Sequence, residues 1–212
     1  MNRRNLLKIT LASVIAGSSV KSPARSAACT PTPPQTEGPF YPIHQQIDKD
    51  LDLTQIRGHT KAASGKIIIV EGQLQDKNCK HISHAKVEIW QANQWGRYQH
   101  KNDPNKAAID PDFQGWGITN TDSNGKFQFK TILPGAYPAT PSWIRPPHIH
   151  FKISHPAYND LTTQIYFEGQ LHNSKDRILL ALNAEEQKSV VTQLQKGKSD
   201  PWPRYRFNAV LT

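Results

Sequence analysis

Asp122-Ser123-Asn124-Gly125-Lys126-Phe127-Gln128-Phe129-Lys130 is the stretch that decides the fold class. Its first four residues read as a hairpin turn, because Asn-Gly tolerates positive φ. The next five alternate polar and aromatic side chains, and a period of two puts Phe127 and Phe129 on one face of a strand. The same pattern recurs outward along the chain. Upstream, Lys66 to Leu74 carries Ile67, Ile68, Ile69 and Val70 as a buried β run, and Asp76-Lys77-Asn78 reads as a turn. Ala85 to Ala92 sets Val87 and Ile89 inward against Lys86 and Glu88 outward. Downstream, His148 to Ile153 and Leu161 to Phe167 read as strands, and Trp202 to Leu211 ends the chain with Tyr205 and Phe207 alternating. Only Asn183 to Gln195 reads as helical, with Asn183 as N-cap and Glu186 at the third helical position. Sixteen prolines and 12 glycines against a single methionine fit a turn-rich chain. The expectation is an all-β protein: an antiparallel β-sandwich over residues 66–212, an extended N-terminal arm over 29–65, and one short C-terminal helix.

Residues 1–28 read as an export signal. Arg3 and Arg4 precede an apolar stretch from Ile9 to Val20, and Ser26-Ala27-Ala28 offers small residues for cleavage. Asn2-Arg3-Arg4-Asn5-Leu6-Leu7-Lys8 resembles a bacterial twin-arginine signal, which predicts an exported, periplasmic protein. The formal charge of +9 first suggests an anionic partner such as nucleic acid. Removing the signal's five basic residues leaves 21 Lys and Arg against 17 acids, a net +4 scattered without a basic stripe, so nucleic-acid binding loses its support. No apolar run is long enough for a stable membrane span. In an oxidising compartment Cys29 and Cys79 are candidates for a disulfide that ties the arm to a surface turn; free thiols and a lipidated Cys29 are the alternatives.

Arg145-Pro146-Pro147-His148-Ile149-His150-Phe151 carries the chemistry. On a strand His148 and His150 share one face, while Ile149 and Phe151 point into the opposite layer. Two imidazoles on one face can hold a transition metal. A third His or a carboxylate would complete a divalent site of the cupin kind, with His81, His84, His100 and His155 as the histidines to supply it. Tyr98 and Tyr137 offer a different completion. A phenol is ordinarily a poor ligand, with a pKa near 10. A strongly charged cation favours the phenolate, a hard oxygen donor suited to Fe(III).

Seven motifs in order make the chain resemble the intradiol ring-cleavage dioxygenases: Thr36-Glu37-Gly38-Pro39-Phe40-Tyr41-Pro42, Val87-Glu88-Ile89-Trp90-Gln91-Ala92, Gly96-Arg97-Tyr98, Thr121-Asp122-Ser123-Asn124-Gly125, Pro134-Gly135-Ala136-Tyr137-Pro138, the Arg145–Phe151 stretch, and Thr163-Gln164-Ile165-Tyr166-Phe167-Glu168-Gly169. The resemblance implies a β-sandwich and one non-haem Fe(III) held by Tyr98, Tyr137, His148 and His150. It implies Tyr137 as the phenolate that takes a proton from the substrate, and Arg145 as the cation that binds and polarises the substrate ring. Gln164 and Tyr41 become candidate substrate contacts. The implied reaction is cleavage of a catechol-type aromatic by O2 between its two hydroxylated carbons to a cis,cis-muconate, with protocatechuate to 3-carboxymuconate in first place. The arm resembles one subunit type of the protocatechuate branch and the ligands the other, so one chain would supply both, as a homo-oligomer or a monomer. Two departures fall beside the substrate pocket. Ile144 separates Trp143 from Arg145, and the segment between Tyr137 and His148 is short. The competing readings are an exported β-sandwich binding module without catalysis and the cupin-like divalent-metal enzyme.

Overall fold

Among the described residues two large sheets form because the period-two apolar pattern is met in two separate sets of strands, and a third pairing is a short two-stranded hairpin. The computed structural model describes residues 28–43, 46, 48–195 and 201–212. The signal read in residues 1–28 lies outside them except for Ala28. In chain order the strands are β1 (Ile67–Asp76), β2 (Lys86–Trp90), β3 (Trp116–Asn120), β4 (Lys126–Ile132), β5 (Tyr137–Thr140), β6 (Trp143–Arg145), β7 (His148–Ser154), β8 (Leu161–Phe167), β9 (Val191–Thr192), β10 (Arg204–Arg206) and β11 (Ala209–Leu211), with one α-helix, α1 (Ala184–Val190). One sheet is centred on β1, which pairs with β4 along one edge and with β10 and then β11 along the other. The second runs β3-β2-β7-β8-β9. Between them lies a hydrocarbon core to which β1 gives Ile68, Val70 and Leu74, β4 gives Phe127 and Phe129, β7 gives Ile149, Phe151 and Ile153, and β8 gives Ile165 and Phe167. The Phe127 and Phe151 rings meet across the layer at 5.9 Å, and Phe151 meets Phe207 at 5.0 Å. The all-β sandwich with one short helix is therefore the observed fold. Its main pairings are antiparallel, whereas the edge pairings β1–β10, β1–β11 and β8–β9 are parallel.

The turn at Asp122–Gly125 forms as read. Gly125 sits at φ +72°, and Asp122 Oδ1 accepts the backbone N–H groups of Asn124 and Lys126, each at 2.8 Å. The strands it joins do not pair with each other, because β3 pairs with β2 and β4 with β1. The turn is a corner between sheets. Local chemistry sets the reversal of the chain but not the pairing. Only from the facing sheet can β4 press Phe127 against Phe151.

The helix begins where expected. The Asn183 side chain accepts from the backbone N–H of Glu185 and Glu186, and the Glu186 carboxylate accepts the Asn183 N–H, a complete capping box. It ends at Val190 rather than Gln195, because Val191 and Thr192 leave it to pair with Tyr166 and Phe167 as β9. Two β-branched residues at a sheet edge gain more as strand than as helix. Among the described residues no helix is long and apolar enough to cross a membrane.

Among its described residues the arm forms no helix or named strand, only an isolated bridge from Asp52 to Lys130, and it is pinned at intervals. Cys29 and Cys79 form a disulfide with Cα atoms 5.3 Å apart. Thr32 N–H donates to Val210 O on the first sheet, and Gln35 N–H to Thr162 O on the second. From there residues 36–42 cross the outer face of β2, β7 and β8, where the candidate site lies.

Candidate metal and catalytic site

β7 sits in the middle of its sheet, so its neighbours are set by register. Its even residues face away from the core. His150 lies between Trp90 of β2 and Gln164 of β8, and His148 lies opposite Tyr166. The Trp90 indole stacks on the His150 ring, 4.8 Å between centroids and 11° from parallel.

The two tyrosines come from outside this strand, Tyr98 from the loop after β2 and Tyr137 from the start of β5. After β2 the chain turns back through Gly96, at φ +77°, where a Cβ would lie 2.3 Å from Ala136 O. Glycine is therefore required for the Tyr98 loop to touch the segment that carries Tyr137. Tyr98 is fixed further by its backbone N–H, which donates to Asp103 Oδ2 at 2.6 Å. Tyr137 opens β5, directly opposite Arg145 on β6. That short hairpin, unread in the sequence, places the fourth candidate ligand beside the candidate cation.

All four expected ligands converge. Tyr98 Oη is 3.3 Å from His148 Nε2 and 3.2 Å from His150 Nε2, and Tyr137 Oη is 3.5 Å from His148 Nε2. Every one of these side chains is buried. His148 Nδ1 donates to Pro146 O at 2.7 Å, which leaves the Nε2 lone pair aimed at the phenols. Burial pushes both histidines well below the usual imidazole range, and the Arg145 charge adds to this. Burial pushes both phenols up, for Tyr98 with the adjacent Tyr137 as second cause, while Arg145 opposes the rise. On its own the protein thus holds two neutral imidazoles and two neutral phenols around one point. A cation there would reverse the cost of ionising the phenols. The donor set of two hard oxygens and two nitrogens fits Fe(III). Among the described residues no group of three or more His, Cys, Asp and Glu is gathered as a metal site, so none of His81, His84, His100 and His155 completes one with His148 and His150.

Arg145 is 4% exposed. Its Nε donates to Asp176 Oδ2 at 2.7 Å, and its Nη2 donates to Gln164 Oε1 at 2.7 Å and Tyr166 Oη at 3.2 Å. Gln164 in turn gives its Nε2 to Thr36 O of the arm at 2.8 Å. Both functional groups of that amide are thus engaged. Tyr41 packs edge-on against Trp90 at 5.0 Å, and its hydroxyl donates to Glu88 Oε2 at 3.1 Å. It joins the site through the indole behind His150 rather than at the four converging atoms.

Several residues of the site had not been singled out. Phe40 lies with its ring 4.7 Å from Tyr98 and 6.3 Å from Tyr137. Tyr166 shares an outward face with Gln164, a relation the period of two on β8 would have revealed. Gln35 accepts from the Tyr166 hydroxyl at 3.0 Å. Asp176, 31 residues after Arg145, had no local signal at all.

The sequence profile of the dioxygenase family matches residues 36–212. The chain is 40% identical over 134 residues to the protocatechuate 3,4-dioxygenase beta chain of Burkholderia cepacia, an alignment covering 62% of this chain and 57% of that one. It is 29% identical over 199 residues to catechol 1,2-dioxygenase 1 of Acinetobacter lwoffii, covering 85% and 61%. It therefore spans less than two thirds of the length of these curated relatives. Among solved structures, the dioxygenase domain of a dioxygenase carbohydrate-binding protein fusion from Streptomyces sp. SirexAA-E superposes with a TM-score of 0.63 at 27% identity, covering 86% of this chain and 98% of that one.

Proposed function

Because the chain belongs to the intradiol ring-cleavage dioxygenase family, we propose that it is a non-haem iron enzyme that opens a catechol-type ring between its hydroxylated carbons with O2. The observation that carries this is the convergence of four side chains with no carboxylate among them: Tyr98 Oη lies 3.3 Å from His148 Nε2 and 3.2 Å from His150 Nε2, and Tyr137 Oη lies 3.5 Å from His148 Nε2. These four would hold Fe(III). Bound iron would supply a Lewis acid for the catechol and accept electron density from its ring, which would activate the ring toward O2.

The chain's own groups have separate tasks. Tyr137 Oη, as a phenolate, takes the proton of a catechol hydroxyl. The Arg145 cation beside it lowers the cost of that phenolate, since its charge acts on Tyr137 against burial. Arg145 is also a fixed donor for negative charge that develops on the substrate, because its guanidinium is tied down by three partners and need not reorganise. Trp90 covers the His150 imidazole and Phe40 covers the Tyr98 ring, which keeps water from that side of the site. Gln164 meets the substrate beside Arg145, whereas Tyr41 backs the site through Trp90.

The finer reading is protocatechuate to 3-carboxymuconate, supported by the 40% identity to a protocatechuate 3,4-dioxygenase beta chain. We further propose that the chain is exported to the periplasm by its twin-arginine-like signal, which the disulfide between Cys29 and Cys79 supports. A homo-oligomer or a monomer would suffice, as one chain carries both arm and ligands.

The test is product analysis with protocatechuate, catechol and hydroxyquinol side by side, on protein assayed for iron. A cis,cis-muconate from at least one of them is expected, and most rapidly from protocatechuate. Iron-loaded protein should be red-brown from phenolate-to-iron charge transfer. A colourless iron protein would overturn the tyrosine ligands, and the absence of any muconate would overturn the reaction.

A further inference from the structure

We propose that Asp176 is a positioning residue for Arg145, fixing through Nε which edge of the guanidinium is presented to the site; this rests on the reading of Arg145 as the catalytic cation. Asp176 is wholly buried, a place where a carboxylate is rarely found without a paired charge. Its Oδ1 accepts the Leu179 N–H at 2.8 Å and lies 3.4 Å from the Tyr166 hydroxyl, while its Oδ2 takes Arg145 Nε at 2.7 Å. The carboxylate is therefore itself held by backbone and by a neighbouring side chain, and cannot follow the arginine if it moves.

A guanidinium is a planar fork of five N–H groups. Committing Nε to Asp176 and Nη2 to Gln164 and Tyr166 sets both the plane and its rotation. The nitrogen left over is Nη1, on a side chain that stands directly across the β5–β6 pair from Tyr137. Tyr166 links this arrangement to the arm, since its hydroxyl also reaches Gln35 Oε1 at 3.0 Å. If Nε loses its acceptor, the charge remains near the histidines but its direction does not.

A merely structural role, in which Asp176 anchors the Asn173–Ala181 segment to the sheet, makes a different forecast. The experiment is a double-mutant cycle on the iron-loaded chain with Asp176→Asn, Arg145→Gln and the pair, reading kcat and KM separately, together with catechol binding followed by absorbance without oxygen. Asp176→Asn should lower kcat about 30-fold while KM and anaerobic catechol affinity stay within about threefold. In the Arg145→Gln background the same change should cost less than about threefold. If Asp176→Asn does not fold, Tyr166→Phe removes the hydroxyl shared by Arg145, Asp176 and Gln35. It should lower kcat at least about fivefold, again only when Arg145 is present. Equal losses in both backgrounds, a folded variant with normal kcat, or a kcat loss matched by lost catechol affinity would each overturn the proposal. A wild-type chain that cleaves no catechol would instead overturn the functional reading beneath it.

Discussion

On β7, Ile149, Phe151 and Ile153 turn inward and are wholly buried by hydrocarbon from the facing sheet. His148 and His150, their immediate neighbours, are buried almost as deeply on the outer face, but among phenols, an indole and a guanidinium. The two faces share strands, hydrogen-bond ladder and depth. They differ in what satisfies them. The inner face needs only apolar volume, which many residue combinations supply. The outer face is complete only when groups from β5, β6, β7, β8 and the loop after β2 converge on one point.

The sharpest way to break this contrast is one substitution on each face. His148→Ala should abolish iron retention and lower turnover by more than about 100-fold, beyond the 10–100-fold typical of groups that only support a ligand. It should scarcely lower the urea midpoint of the metal-free chain, because it removes an imidazole whose burial opposes its charged form. Phe151→Ala, one residue beyond His150, should cost about 3–5 kcal/mol of stability through the cavity left among Phe127, Phe207 and their neighbours. Turnover per folded, iron-loaded molecule should stay within about threefold. A Phe151 variant that keeps its stability but loses turnover would show that the faces are not separable.

The inner face was nearly all legible, because a period of two within one strand is local information. Ile149 and Phe151 were placed in the core from their spacing alone, and β8 was read to its observed ends. The outer face was legible only in pieces. His148 and His150 share a face by the same local rule, but nothing local brings Tyr98 to them across 50 residues. That juxtaposition depends on Gly96 meeting Ala136 and on β5 pairing with β6, contacts made only in the folded chain. The turn at Asp122 shows the same limit, since its chemistry was right and the pairing assumed for it was not.

A smaller effect separates the faces by pH. Both histidines are held below their ordinary pKa of 6.5, so the unfolded chain binds protons that the folded one refuses. Stability of the metal-free protein should therefore fall as pH drops below about 6.5, by at most about 1.4 kcal/mol per pH unit for each histidine. Urea titrations between pH 7.5 and 5.5 should show this slope in wild type and in a core variant alike, and about half of it in His148→Ala. An unchanged slope in His148→Ala would mean that other groups control acid sensitivity.

The smallest expected effect concerns Tyr41, where the arm covers the outer face. Its hydroxyl donates to Glu88, its ring lies edge-on to Trp90, and the Lys152 ammonium sits 4.7 Å from the ring centre. Burial, reinforced by Glu88, pushes the phenol up to about 12, so it remains a neutral donor across the working pH range. Removing the hydroxyl in Tyr41→Phe keeps the ring against Trp90 and deletes one hydrogen bond to a carboxylate, a loss of about 1 kcal/mol in a half-exposed setting. If Tyr41 serves the site by seating the arm against the indole behind His150, KM and kcat should both stay within about threefold, and only the unfolding midpoint should fall. A tenfold rise in KM with unchanged stability would instead put the hydroxyl on the substrate, and would extend the outer-face site past Trp90 to the edge formed by Glu88 and Lys152.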